Sequence, residues 1–302
     1  MTIKYIERED IDIQKYDACI DNSKQSILYA YSWYLDIVCD DWNCLVLDDY
    51  LAVMPIPWKE KYFIKYVYPP LWLLQLGIFS LNECAYEIEF KRELEYRFKF
   101  IELRLNSKNK LNKTDSFSLK NFQTISLQSS YKEIKKSFQS DRKKDLKKAA
   151  KAKLTILWND SPQNLISLFK NNVGKRTPNI IDKDYENLQR LIDFSIYKGF
   201  ADVLSVYDEK NQLVASAFFI KYQKEVTIVC SSTDFSNRKN GANTFLISAA
   251  IEKYHSEFDT FNFGGSSIPS IAKYFLSFGA TSSQYPFLKV NKLPFFLRLL
   301  KA

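Results

Sequence analysis

The chain has 302 residues, long enough for two domains of ordinary size. It is 46% hydrophobic and 26% charged, which excludes a disordered or low-complexity polypeptide. A formal net charge of +8 permits a polyanionic partner, whether RNA, a nucleotide or an anionic membrane surface, without requiring one.

After a short first strand, IDIQKYDACIDNS and SILYAYSWYLDIVCD predict helices within the first forty residues. NCLVLDDYLAVMPIPW reads as a hairpin turning at Asp48-Asp49-Tyr50. FIKYVYP is a strand closed by Pro69-Pro70, and LLQLGIFS is a further predicted strand. NECAYEIEFKRELEYRF has apolar residues at helical spacing, and KFIELRLN alternates as a strand does. A basic stretch follows, SSYKEIKKSFQSDRKKDLKKAAKAKLTI. Tyr131, Ile134 and Phe138 share one helical face there, and Ser140 or Asp141 is placed to cap a second helix running to Ala152. Then ADVLSVYDEKNQLVASAFFIKY reads as a second hairpin, EVTIVCSS as a strand, ANTFLISAAIEKYH as a helix and DTFNFGG as a strand.

Hairpin, strand, crossover helix, strand therefore occurs twice. The repeat predicts an α/β (α+β) protein of two tandem domains, each a mixed central sheet flanked by helices. The expected boundaries are residues 1–130, a basic helical connector over 131–153, and 154–302. The connector has two readings, a solvated lysine-rich face or a polyanion-binding surface.

The five cysteines (Cys19, Cys39, Cys44, Cys84, Cys230) form no CxxC pair, which predicts reduced thiols and a cytoplasmic chain. His255 is the single histidine, so neither a histidine-based metal site nor a hydrolytic triad is expected. MTIKYIERED has no secretory pattern, and no apolar run is long enough for a transmembrane segment. The terminal PFFLRLLKA reads as a closing helix packed on the core.

Glycine is scarce, seven in all, yet Gly264, Gly265 and Gly279 fall within FNFGGSSIPSIAKYFLSFGATSSQYP. Glycine is costly to order, so it should sit where the backbone turns sharply or something approaches closely. The loop TDFSNRKNG before the long helix raises a similar question. Arg238, Lys239, Asn240, Gly241 and Ala242 form either a diphosphate cradle at a helix N-terminus or an ordinary Asn-Gly turn.

The order of elements around Arg238-Lys239-Asn240-Gly241-Ala242-Asn243 and AKYFLSFGA resembles the GNAT N-acetyltransferase fold. Its cofactor loop follows Gln/Arg-x-x-Gly-x-Gly/Ala, matched here by Arg238 and Gly241. Asn243 departs from the small residue of that pattern. The tandem arrangement resembles the FemABX-like branch. SDRKKDLKKAAKAKLTI is similar to its RRNIRKA helix, and FNFGGSSIPSIAKYFLSFGA to its DFGGS…FKxxFGA segment. Proteins of that branch are acyl- or peptidyltransferases, some using aminoacyl-tRNA as donor.

The resemblance implies an acyl or aminoacyl transfer to a small-molecule or peptide amine. The donor is acyl-CoA at Arg238 to Ala242 or, alternatively, aminoacyl-tRNA contacted by Arg142, Lys143 and Lys147, with no role for DNA. Gly264, Gly265, Ser266, Ser267 and Lys273 would border the substrate cleft. Phe275 stands where the family often has a tyrosine acid, which leaves Tyr274 and Tyr285 as the catalytic candidates. Tyr274 has a second reading, as a core aromatic. Glu225, Asp234 and Asp259 are the possible bases. The competing function is a ligand-binding protein that keeps the scaffold without catalysis.

Overall fold

A computed structural model describes residues 2–82, 86–110, 117–236, 238–265 and 268–294. Cys84, Ser266, Ser267, the Arg238 side chain and all of PFFLRLLKA except Pro294 lie outside the described parts. The chain forms two compact units, Met1–Lys120 with Gln284–Ala302, and Asn121–Ser283.

The first unit runs β1 (Ile3–Ile6), α1 (Ile13–Asn22), α2 (Ser32–Val38), β2 (Asp41–Leu47), β3 (Ala52–Lys61), β4 (Ile64–Val67), β5 (Phe79–Ser80), α3 (Glu87–Arg97) and β6 (Phe100–Arg104). β2 and β3 form the expected hairpin, with Asp48 and Tyr50 in left-handed conformation at its turn. Pro55 and Pro57 fit inside β3 because they lie between the stretches that β5 and β4 pair, so their missing N–H groups cost no ladder bond there. β4 and β6 are parallel neighbours across α3. LLQLGIFS does not form a full strand. Only Phe79–Ser80 pairs with β3, and Leu76 makes a single bridge to Leu105.

The second unit begins inside β7 (Phe117–Ser126). It continues with α4 (Tyr131–Ser137), α5 (Ser140–Lys151), β8 (Thr155–Trp158), α6 (Pro162–Asn171), α7 (Asp182–Tyr197), β9 (Ala201–Tyr207), β10 (Leu213–Tyr222), β11 (Glu225–Thr233), α8 (Ala242–Tyr254), β12 (Thr260–Asn262) and α9 (Pro269–Leu276). β13 (Thr281–Asn291) leads out of it, and from Gln284 on it belongs to the first unit, where Phe287–Asn291 pair with β6.

Strand order in the second unit is β7-β12-β11-β10-β9-β8. β9–β10 is the second hairpin, and β11 and β12 are parallel across α8. The repeated order read from sequence is present twice, as β2-β3-β4-α3-β6, with the two-residue β5 inserted before α3, and β9-β10-β11-α8-β12. α8 is apolar nearly all round, with Ala242, Leu246, Ile247, Ala250, Ile251 and Tyr254 buried, as a crossover helix packed on several sides must be.

The basic segment is part of this core. Ile134, Phe138 and Ala149 are buried against the residues of α8 and β12, and the lysines point outward. Neither Ser140 nor Asp141 caps α5. Gln139 holds the N-cap position without a side-chain bond, because the helix starts one residue earlier than the Ser/Asp signal suggests.

Candidate functional site

The parallel strands β11 and β12 pair only over Glu225–Thr227 and Thr260–Asn262. Beyond Thr227, β11 continues to Thr233 without β12 beside it, while Gly264 and Gly265 carry the other chain away. On its opposite edge β11 carries a bulge: Phe218 faces Cys230 and Phe219 faces Ile228, so Val229 has no counterpart. A bulge twists its strand and re-aims the groups beside it, and such irregularities gather at functional sites. Val229 was not singled out from sequence, because register is a property of two strands together.

Past the carboxyl end of β11 lies a pocket of about 340 Å3 lined by Arg142, Asp145, Thr233, Gly241, Asn243, Thr244 and Tyr274. Ligands of α/β sheets gather at such strand ends. Three elements build its wall. α8 presents Asn243 and Thr244 in its first turn, α9 presents Tyr274, and α5 presents Arg142 and Asp145.

Tyr274 is the hub. Asn243 Nδ2 donates to its hydroxyl at 3.1 Å, and Thr244 Oγ1 lies 3.1 Å from the same oxygen. The Arg142 guanidinium sits 4.4 Å from the ring centroid, in cation–π range. Burial pushes the phenol pKa up, against the lowering effects of Thr244, Arg142 and Asn243. Tyr274 therefore keeps its proton at neutral pH and can donate it.

Arg142 is the residue sequence reasoning misplaced. It was expected among the RNA-facing cations with Lys143 and Lys147. Those two are exposed, but Arg142 turns inward, with its side chain 13% exposed. Its terminal nitrogens donate to Thr244 Oγ1 at 2.9 Å and pair with Asp145 at 3.0 Å. Its Nε–H is buried with no acceptor among the described residues, an arrangement native interiors rarely leave unsatisfied. The available signal was that Arg142 is the one arginine in a segment otherwise basic through lysine, and only arginine combines a planar fork with a stacking face.

Gly241 caps α8 in left-handed conformation, φ +82°. A Cβ there would lie 2.2 Å from the Asp145 carbonyl oxygen, so α5 occupies the glycine's bare face. The Ala242 N–H is taken by Asn240 Oδ1 at 2.9 Å. Lys239 is exposed. A diphosphate laid on this glycine would meet a carbonyl oxygen, with the Asp145 carboxylate lining the same pocket. On the face a Cβ would take, Gly241 is therefore filled by α5 and not open to a diphosphate.

Gly265 is explained in the same way. It and Gly264 are both left-handed, and a Cβ on Gly265 would come within 2.9 Å of Phe122 Cβ and 3.0 Å of the Asn121 carbonyl oxygen. The close approach is made by strand β7. The Gly264 N–H is bonded to Asn262 Oδ1 at 2.9 Å, and Asn262 Nδ2 in turn donates to Glu225 at 3.0 Å. Lys273 is exposed on α9, and Phe275 stacks on Phe263 at 4.9 Å as a core aromatic. Tyr285 falls in the first unit on β13, where burial raises its pKa and Arg104 opposes the rise. Of the possible bases, Glu225 also accepts from Thr227 at 3.0 Å, and Asp234 accepts from Ser236 N–H and Oγ at the end of β11. Among the described residues no cluster of His, Cys, Asp and Glu could hold a metal ion, and no helix is long and apolar enough to cross a membrane.

No family profile matches the chain, and no curated protein does. Solved structures do. FemX superposes with a TM-score of 0.64 at 12% identity, over 99% of this chain and 100% of that one. L-PGS from Bacillus licheniformis gives 0.56 at 10% identity, over 96% and 95%. A tandem GNAT protein from the clavulanic acid biosynthesis pathway gives 0.51 at 10% identity, over 97% and 99%. At these identities the likeness shows the fold alone, and the fold is GNAT/FemABX-like.

Proposed function

We propose that the chain is an acyltransferase of the GNAT/FemABX type that moves an acyl or aminoacyl group from an ester donor to an amine. The observation that carries this reading is Tyr274, a phenol that keeps its proton, beside the unpartnered Arg142 Nε–H at the carboxyl end of β11. The amine nitrogen attacks the acyl carbonyl, a C–N bond forms and the donor's C–O bond breaks. Tyr274 gives its proton to the departing oxygen, and the amine's proton passes to solvent. Arg142 Nε–H supplies a donor for oxygen charge that develops in the transition state.

The contact of Asp145 with Gly241 favours an aminoacyl-tRNA donor over acyl-CoA, since the former needs no diphosphate on that helix end. Lys143 and Lys147, exposed on α5, would meet the RNA backbone. Tyr285, in the first unit, is kept as a second candidate acid, and Gly264, Gly265 and Lys273 as the cleft border. The proposed compartment is the cytoplasm.

The test is transfer from a mixed pool of radiolabelled aminoacyl-tRNA to glycinamide, with Tyr274→Phe as control. Label should leave the tRNA faster with wild type than with the variant or buffer. Equal rates in all three, together with stabilisation by acetyl-CoA but not by charged tRNA, would replace the ester donor with the thioester. Equal rates with neither ligand stabilising would leave the non-catalytic reading, which Phe275 in place of an acid already motivates.

A further inference from the structure

The β3–β4 hairpin turns at Tyr62-Phe63, with Lys61 paired to Ile64 across a two-residue loop. Both loop residues have positive φ, +54° for Tyr62 and +62° for Phe63. Hairpin turns of this geometry belong to Asn-Gly and Asp-Gly, and a bulky aromatic in the left-handed region is an outlier. Two such residues in succession hold a strained conformation. Packing within the fold offers them little, since Phe63 is 98% exposed and Tyr62 65% exposed. Strain kept together with exposure marks a segment held for something outside the chain.

Its surroundings indicate what that is. Lys61 lies over the Tyr62 ring at 5.3 Å, and Lys65 lies over the Trp58 ring at 4.1 Å. Lys59 is tied to Asp40, and Glu60 stands opposite Lys65. The tip is thus apolar at its end and net positive just behind it, in a chain of net charge +8. At about 3.4 Å per residue, the Lys61 and Lys65 backbones sit roughly 3–7 Å behind the aromatic pair. That spacing overlaps the roughly 5–10 Å to which interfacial apolar faces sink into the headgroup–acyl boundary. A nucleobase-stacking platform differs, since it presents one ring face from a sheet, whereas Phe63 projects from a turn with Ile64 beside it.

We propose that this hairpin tip docks the protein on an anionic lipid bilayer. Tyr62 and Phe63 enter the interface, and Lys61 and Lys65 meet the lipid phosphates. The proposal is independent of acyl transfer, because it rests on the first unit alone.

The test uses the full chain and vesicles of phosphatidylcholine with or without about 30% phosphatidylglycerol. Wild type is expected to sediment with the anionic vesicles and to be released by salt. Phe63→Trp should show a blue-shifted emission on binding. Tyr62→Asn/Phe63→Gly installs the turn's preferred residues, so Tm should rise by roughly 2–4 °C while vesicle affinity falls about tenfold or more. Opposite signs in the two readouts exclude misfolding as the cause. Lys61→Glu/Lys65→Glu should lose the anionic-lipid preference. Failure to bind anionic vesicles, or binding unchanged in the Asn-Gly variant, would overturn the proposal, as would tip-dependent binding of RNA or protein without lipid binding.

Discussion

Replacing Gly241 by alanine places a methyl carbon 2.2 Å from the Asp145 carbonyl oxygen and 2.9 Å from its carbon. Both are backbone atoms of α5, so no side chain can swing aside. Two costs combine. Alanine at φ +82° carries the left-handed penalty of about 1–2 kcal/mol. Forcing α5 away from α8 adds the roughly 1–3 kcal/mol typical of overpacking. Gly199 supplies the control, since it is also left-handed at φ +76° but has nothing within 4 Å of the Cβ position. Gly199→Ala carries the first cost alone, and the smaller unfolded-state entropy of alanine offsets both variants equally. At roughly 2–4 °C per kcal/mol, and before that shared offset, Gly241→Ala should lower Tm by about 4–20 °C and Gly199→Ala by about 2–8 °C. Thermal unfolding by circular dichroism reads both. Equal Tm values for the two variants, with donor binding lost only in Gly241→Ala, would refute the reasoning and return Gly241 to a ligand.

Tyr274→Phe should lower kcat by roughly a hundredfold with little change in KM, because the lost proton donor acts on the leaving group. It should cost about 1–2 kcal/mol of stability, since Asn243 and Thr244 lose their shared partner. Arg142→Lys should lower both Tm and turnover, since one ammonium cannot bond Thr244 and Asp145 and also cover the Tyr274 ring. Lys143→Glu/Lys147→Glu should weaken tRNA binding and flatten its dependence on salt, by about 0.7–0.9 in log–log slope per lost phosphate contact. An unchanged slope in filter binding would remove those lysines from the RNA surface. Tyr207 sets an alkaline limit. Burial and its bond to Asp160 at 2.6 Å push its pKa up to about 12, above the ordinary phenol value near 10. Its stabilising effect is complete below pH 10 and is lost as pH rises from 10 through 12. Tyr207→Phe should flatten that alkaline limb in a pH series of Tm values.

The repeated α/β order was legible because each element carries its own period. Leu45 to Ile56 turn within a few residues, and α8 shows a continuous apolar run that no strand of that length would need. α6 and α7 lie outside the expected elements although local signals exist, with Pro162 opening α6 and Leu165, Leu168 and Phe169 on its buried face. β7 was hidden for a different reason. Its residues Phe117–Lys120 are exposed or half-buried, so alternation is weak until Phe122. LLQLGIFS failed as a strand because apolar content alone does not provide a partner edge. The pocket was half legible. Gly241 and Tyr274 were visible as letters, but their partners Asp145 and Arg142 come from about a hundred residues earlier and read locally as solvated charge. The glycines stand out for a sound reason, close approach, and at Gly241, Gly265 and Gly279 the approaching atoms belong to the protein.

The first unit is discontinuous along the chain, since β6 receives the neighbour Phe287–Asn291 only after the whole second unit has been made. During synthesis at about 5–20 residues per second, that edge waits roughly 10–40 s with its ladder unpaired. Ile101 and Leu103, fully buried in the finished unit, lie on the waiting strand. The nascent chain thus carries a time-limited adhesive edge. Its yield in the cell should depend on elongation rate and on whatever shields β6 until residue 291 emerges.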